Sequence, residues 1–191
     1  MDFYQTVAAR RSVRSFLPTP IPDDAVDRAL AAAQLSPSPL NSQPWRFIVF
    51  TGGARERLCA HVAGSTRLLE DLFPLLGPDH IAHAAAFLSD LGGAPLVVVI
   101  TYPAQKNEYD HKTALLAVGG AALSLQLAFA AEGLGSVCVT SAVWVEDRIR
   151  DELGLGDEQL ATIVPVGYLR GELGPRPPRN DAVQHCEEWP G

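Results

Sequence analysis

At 191 residues, with 47% hydrophobic and 19% charged side chains, the chain has the composition of one globular domain with a sizeable core. Its net charge of −7 and isoelectric point near 5.1 argue against nonspecific nucleic-acid binding. No apolar run has the expected length of a membrane span, and Asp2, Gln5 and Arg10 interrupt any signal-peptide pattern, so a cytoplasmic location with no membrane partner is expected.

Residues 2–9 predict a short helix running into Arg10-Arg11-Ser12-Val13-Arg14-Ser15-Phe16. Planar guanidinium groups match phosphate oxygens, and hydroxyls add donors. In an acidic chain this cluster reads either as a site for an anionic cofactor or as a solvated basic face. Pro18-Thr19-Pro20-Ile21-Pro22 is a rigid turn, because proline fixes φ and removes donors. Asp23 or Asp24 then opens a helix that stops at Ser36-Pro37-Ser38-Pro39. A buried strand is predicted over 45–50.

Residues 53–90 read as three loose helical segments, at 55–63, 65–76 and 78–91. His80 and His83 in the third could share a face, but two ligands do not make a metal site, and none is expected. The continuous apolar run at 96–102 is the mark of a central strand covered on both faces. A helix over 110–132 is apolar almost all round and must be buried on most sides. Gly119 and Gly120 within it each cost about 1 kcal/mol of helix propensity. They admit a close backbone, as at a domain centre or a subunit interface. A strand over 136–140, a helix over 145–153 and a strand over 159–169 follow. The tail, with Pro175-Arg176-Pro177-Pro178-Arg179, is too proline-rich to fold alone and should lie extended along something. Dispersed strands among more numerous helices make the class α+β. Cys59, Cys138 and Cys186 lack C-x-x-C spacing and read as reduced, structural thiols. No Gly-x-Ser-x-Gly or Gly-x-Gly-x-x-Gly motif points to a hydrolase or a Rossmann site.

Two stretches taken together are more specific. Residues 10–16 are followed by Ser36-Pro37-Ser38-Pro39-Leu40-Asn41-Ser42-Gln43-Pro44-Trp45-Arg46-Phe47. The pairing resembles the start of the FMN-dependent nitroreductase family: an Arg-x-Ser-x-Arg signature, a Pro-Ile-Pro turn, a helix, and an Asn-x-Gln-Pro-Trp-x-Phe turn into a strand. The resemblance continues through the strand at 96–102, the helix ending Gly133-Leu134-Gly135, Val164-Pro165-Val166-Gly167-Tyr168 and the Pro-Arg-x-Pro tail. It weakens over roughly 53–92, where this chain is compact, which implies a more open pocket or a different lid.

The resemblance implies a nitroreductase-like fold, with a central mixed, mostly antiparallel sheet flanked by helices, in an intertwined homodimer. Residues 1–191 would form one domain, with an extension from about 171 packing on the partner subunit. Arg10, Arg11 and Ser12 would hold the FMN phosphate and ribityl chain, and Arg14 the N1/O2 edge, where a fixed cation favours the reduced flavin. Arg176 either joins the phosphate clamp or is a free surface arginine. Pro37, Ser38, Pro39, Leu40 and Asn41, with Gln43, would reach the flavin from the other subunit. Here Pro39 and Leu40 replace small hydroxyl residues, leaving Ser38 to supply the hydrogen bond. Turn capping is the competing reading for Asn41 and Gln43. Cys138, Val139, Thr140 and Ser141 would pass beside the flavin N5/O4 edge through their backbone, with Cys138 packing rather than reacting. No side chain reads as a proton donor. The implied activity moves hydride from NAD(P)H through FMN to a small acceptor such as a nitroaromatic, a quinone or an unsaturated ring. The alternative is a flavin-binding or sequestering protein without turnover.

Overall fold

The computed structural model describes residues 2–69, 77–180 and 182–183. Their framework is a four-stranded sheet in the order β1-β2-β4-β3, formed by β1 (Arg46–Thr51), β2 (Leu96–Pro103), β3 (Gly135–Ser136) and β4 (Glu158–Gly167). All three ladders are antiparallel. A single parallel bridge, Ser12 to Ser136, lies outside the strands. β2 is central because Leu-Val-Val-Val-Ile-Thr-Tyr can be buried on both faces, and residues 96–102 are all buried. Its register with β4 shifts between Ile100 and Thr101, a bulge that leaves Ala161 without a cross-strand partner.

The alternation of side chains along β2 sends its two faces into two separate cores. Val98, Ile100 and Tyr102 face α2 (Asp23–Gln34) and α5 (Glu108–Ala131). Val97 and Val99 face α3 (Gly52–Ala63), α4 (Pro78–Asp90) and α6 (Glu146–Leu153). The short α1 (Phe3–Ala9) is held by a capping box, in which Asp2 and Gln5 each accept the other's backbone N–H. Arg28 on α2 makes two 2.8 Å bonds to Glu132 and one of 2.7 Å to Asp24. The Arg28 guanidinium accordingly holds the Glu132 carboxyl below its usual range.

The expected α+β class and antiparallel sheet are both present. Four local expectations change. The strand predicted over 136–140 is only Gly135–Ser136, because Val139 makes one isolated bridge to Ile163 and the chain then enters a 3₁₀ turn, Thr140–Val145. α3 starts at Gly52, whose φ of +52° lets the chain turn directly off β1. Of the helix predicted over 65–76, a 3₁₀ turn occupies Gly64–Leu68, and 70–76 lie outside the described residues. α5 also meets the length and composition of a membrane-spanning helix, with mean hydropathy 1.9 over its most apolar 18 residues. That stretch is half buried inside the fold, so these limits alone describe a core helix equally well.

α5 buries Ala114, Val118, Ala121, Leu125 and Phe129, while Leu116 is 79% exposed and Leu123 47%. Its burial within the chain is therefore one-sided. Apart from the chain neighbours and the helix's own nearby backbone, no described atom comes within 4 Å of a Cβ built on Gly119 or Gly120.

Candidate functional site

Residues 10–16 are stitched to the fold by backbone bonds. Val13 N donates to Ser136 O (3.1 Å), Phe16 N to Gly92 O (2.9 Å) and Leu17 N to Tyr168 O (2.8 Å), and Arg170 N donates to Ser15 O (3.0 Å). Val13 and Phe16 are buried, which turns Ser12 and Arg14 outward. Two glycines make this approach possible. A Cβ on Gly135 would sit 2.5 Å from Val13 Cγ2. At Gly92, where φ is +68°, a Cβ would sit 2.2 Å from the Arg14 carbonyl oxygen. No other residue fits at either position without moving the arginine segment.

The tail completes the arrangement from the same chain. Arg11 donates to the carbonyl oxygens of Gly174 and Pro175, at 3.1 Å each. Arg176 donates to Arg10 O at 3.0 Å and also to Ala8 O. Together these contacts shape a cavity of about 270 Å³ lined by Arg10, Arg11, Ser12, Arg14, Arg176 and Arg179. No carboxylate lines it. Among the described residues, none of its five arginines forms an ion pair. Converging unpaired guanidinium groups repel one another unless an anion neutralises them, and their donor forks match phosphate oxygens.

Arg14 also lines a second, larger cavity of about 780 Å³. One wall is Val137, Cys138, Val139, Thr140 and Ser141, carried just past β3. α4 contributes a second wall with His80, His83, Ala84 and Phe87, and Trp144 also lines the cavity. The cavity is mainly apolar with a few polar side chains among its lining, as a flat heterocycle requires. Cys138 Sγ accepts a hydrogen bond from Gln126 Nε2 at 3.0 Å. Burial pushes its thiol above the usual range, outweighing a hydrogen bond with Thr162 and the positive field of Arg10. It is thus a protonated packing group at neutral pH. His83 Nδ1 lies 2.5 Å from the Asp79 carbonyl oxygen.

The turn at 37–43 is elsewhere. It is a 3₁₀ turn, Pro39–Asn41, with left-handed φ at Leu40 (+53°), Asn41 (+55°) and Gln43 (+44°). For Leu40 and Gln43 this costs about 1–2 kcal/mol each, whereas asparagine tolerates it. Ser38 Oγ accepts from Gln43 N at 2.9 Å, which ties the turn to itself. Leu40 is fully exposed at 103%, and none of residues 37–43 lines either cavity.

The structure therefore brings together Arg10, Arg11, Ser12, Arg14, Arg176 and residues 138–141. It does not bring Pro37, Ser38, Pro39, Leu40, Asn41 or Gln43 to them within one chain. The α4 wall and Trp144 were not expected. The signal available for α4 was the 80-83-84-87 spacing, which lies on one helix face.

The nitroreductase family model matches residues 7–168. The 4-nitrobenzoate reductase of Pseudomonas putida is 46% identical over 59 residues, a match spanning 31% of this chain and 26% of that protein. A crystal structure of a nitroreductase with bound FMN from Desulfitobacterium hafniense superposes with a TM-score of 0.78 at 19% identity, covering 96% of this chain and 97% of that one. The FMN-dependent nitroreductase NfnB of Mycobacterium smegmatis, in complex with NADPH, superposes with a TM-score of 0.72 at 24% identity, covering 88% and 89%.

Proposed function

The chain belongs to the nitroreductase family, and on that footing we propose that it is an FMN-dependent oxidoreductase with NAD(P)H as its electron donor. The observation that carries this reading is the pair of cavities sharing Arg14. One is lined by five arginines that form no ion pair among the described residues, and the other is apolar and larger. FMN has the matching form, a doubly charged phosphate at one end and a flat ring system at the other. When bound, FMN supplies the redox chemistry, accepting hydride from NAD(P)H and returning it to a small organic acceptor such as a nitroaromatic, a quinone or an unsaturated ring.

The chain's residues divide the work of binding and orientation. Arg10, Arg11, Ser12 and Arg176 take the phosphate end, where charge-assisted bonds are strongest. Arg14 lies between the two cavities, so its fixed charge stabilises negative charge gained by the ring on reduction. Residues 138–141 border the ring with backbone and small side chains, and Phe87 and Trp144 exclude water from its open side. No described side chain is assigned a bond-making role.

The rest of the ring's surroundings is assigned to a second copy. The exposed Leu116 and Leu123 of α5 and the protruding, strained turn at 37–43 suit a homodimer in which Pro37, Ser38, Pro39, Leu40, Asn41 and Gln43 reach the partner's cavity. Residues 1–191 then act as one domain. Its tail from about 171 lines its own arginine cavity at Arg176, Pro177 and Arg179; the rest of the extension expected to pack on the partner includes 181 and 184–191, which lie outside the described residues. Use of NAD(P)H fits a cytoplasmic enzyme. The test is the visible spectrum of the purified protein and its response to NADH and NADPH without oxygen. A yellow protein that bleaches within seconds is expected. A yellow protein that bleaches with neither nucleotide is a flavin-sequestering protein, and the reductase reading falls.

A further inference from the structure

Beside the apolar cavity is another opening of about 630 Å³. Val143 and Trp144 line both, so the two share a wall. Two arginines enter it from different elements, Arg67 on the 3₁₀ turn Gly64–Leu68 and Arg148 in α6. Both guanidinium groups close on one point above Gly64. A Cβ there would lie 3.4 Å from Arg148 Nη1 and 3.9 Å from Arg67 Nη2. Glu146 and Asp147 also line the opening, each with one partner of its own. Glu146 accepts from the Leu160 backbone N–H at 3.2 Å, and Asp147 pairs with Arg150 at 3.4 Å. Among the described residues, neither Arg67 nor Arg148 forms an ion pair.

We propose that Arg67 and Arg148 bind a phosphate monoester on the hydride donor, the group that separates NADPH from NADH. This rests on the flavoenzyme reading above. A dinucleotide whose nicotinamide enters the apolar cavity leaves its adenylate half outside, and past Trp144 the neighbouring surface offers these two cations. The stoichiometry fits phosphate better than carboxylate. A phosphate monoester carries about −1.5 to −2 charge on three acceptor oxygens, enough for two guanidinium forks, whereas one fork satisfies a carboxylate. Gly64 leaves the space between the forks open.

The experiment compares wild type with Arg67→Ala, Arg148→Ala and Gly64→Asp. The last keeps both arginines and puts a carboxylate between them. Flavin content and spectrum are recorded first. Binding of 2′,5′-adenosine diphosphate and of 5′-adenosine monophosphate is then measured by calorimetry, and bleaching rates are taken against NADPH and NADH concentration. The wild type should bind the bisphosphate more tightly and favour NADPH. Each variant should lose about tenfold in both measures, with NADH half-saturation and flavin content unchanged. Equal use of the two nucleotides by wild type, or a preference that survives all three substitutions, overturns the proposal while leaving the flavoenzyme reading intact. The assignment also falls if the variants weaken only acceptors bearing a carboxylate, tested as 4-nitrobenzoate against nitrobenzene. A protein that bleaches with neither nucleotide defeats the flavoenzyme reading itself.

Discussion

Two polar stretches stand apart from the helices and the sheet, and they are held in different ways. Residues 10–16 are tied by backbone bonds to β3, to Gly92 and to the end of β4, with Val13 and Phe16 sunk into the core. Their arginines are consequently fixed where they face the cavities. Residues 37–43 are tied mainly to themselves, stand in left-handed conformations and present a fully exposed leucine. A segment that completes a site within its own chain is paid for by its own fold. A segment that keeps strain and an exposed apolar side chain is left unexplained by its own fold, and the proposed second copy would account for it.

The largest effect that could break this contrast is at Gly92. Gly92→Ala forces a left-handed alanine into the Arg14 carbonyl and should cost about 3 kcal/mol or more. Urea denaturation of the flavin-free protein reads it as a lower midpoint at unchanged slope. A midpoint equal to wild type would show that the arginine segment is free to move. Arg10→Ala is next. It removes one charge-assisted set of donors and should weaken FMN binding about tenfold or more, seen in a flavin fluorescence titration. Unchanged affinity would remove the phosphate from this cavity.

The turn answers to a different measurement. Leu40→Asp touches nothing in its own chain, so its effect on monomer stability should stay within about 0.5 kcal/mol. In a dimer the same change buries a charge and should shift light scattering from dimer toward monomer, with FMN affinity falling alongside. If Leu40→Asp leaves mass and affinity intact, the turn is surface and its strain is unexplained. Cys138→Ser should have the smallest effect. Because burial raises the thiol's pKa in the fold, its contribution to stability is complete below the ordinary thiol value of about 8.5. That contribution is lost as pH climbs toward the raised value, since only the unfolded chain ionises readily. The serine variant should show a flatter decline in stability above that pH, with flavin reduction rates near those of wild type. A large loss of reduction rate would reinstate Cys138 as a reacting thiol.

Some of this was legible in the amino acids. The run at 96–102 announced a strand buried on both faces, and the signature at 10–16 announced a cluster of arginines, because apolar continuity and clustered guanidinium groups are local signals. Residues 138–140 misled, since β-formers there imply a strand while Thr140 turns into a 3₁₀ segment that carries Trp144 to the cavity. The α4 wall was hard to see for another reason. His80, His83 and Phe87 gain meaning only when a cavity lies opposite them, and nothing local says so. Arg176 was undecided between clamp and free surface, because a contact 166 residues away from Arg10 leaves no trace in spacing.

That same long-range contact has a consequence for biosynthesis. Arg10 and Arg11 leave the ribosome early, while the carbonyls that hold Arg11 come from Gly174 and Pro175 and the far lining of their cavity from Arg176, Pro177 and Arg179. While the intervening chain is being made, the arginines have no walls around them and no geometry to offer a phosphate. On the proposed assignment, the cofactor would join a finished fold rather than template a growing one. Chains stalled before Arg176 should accumulate colourless, however much flavin the cell holds.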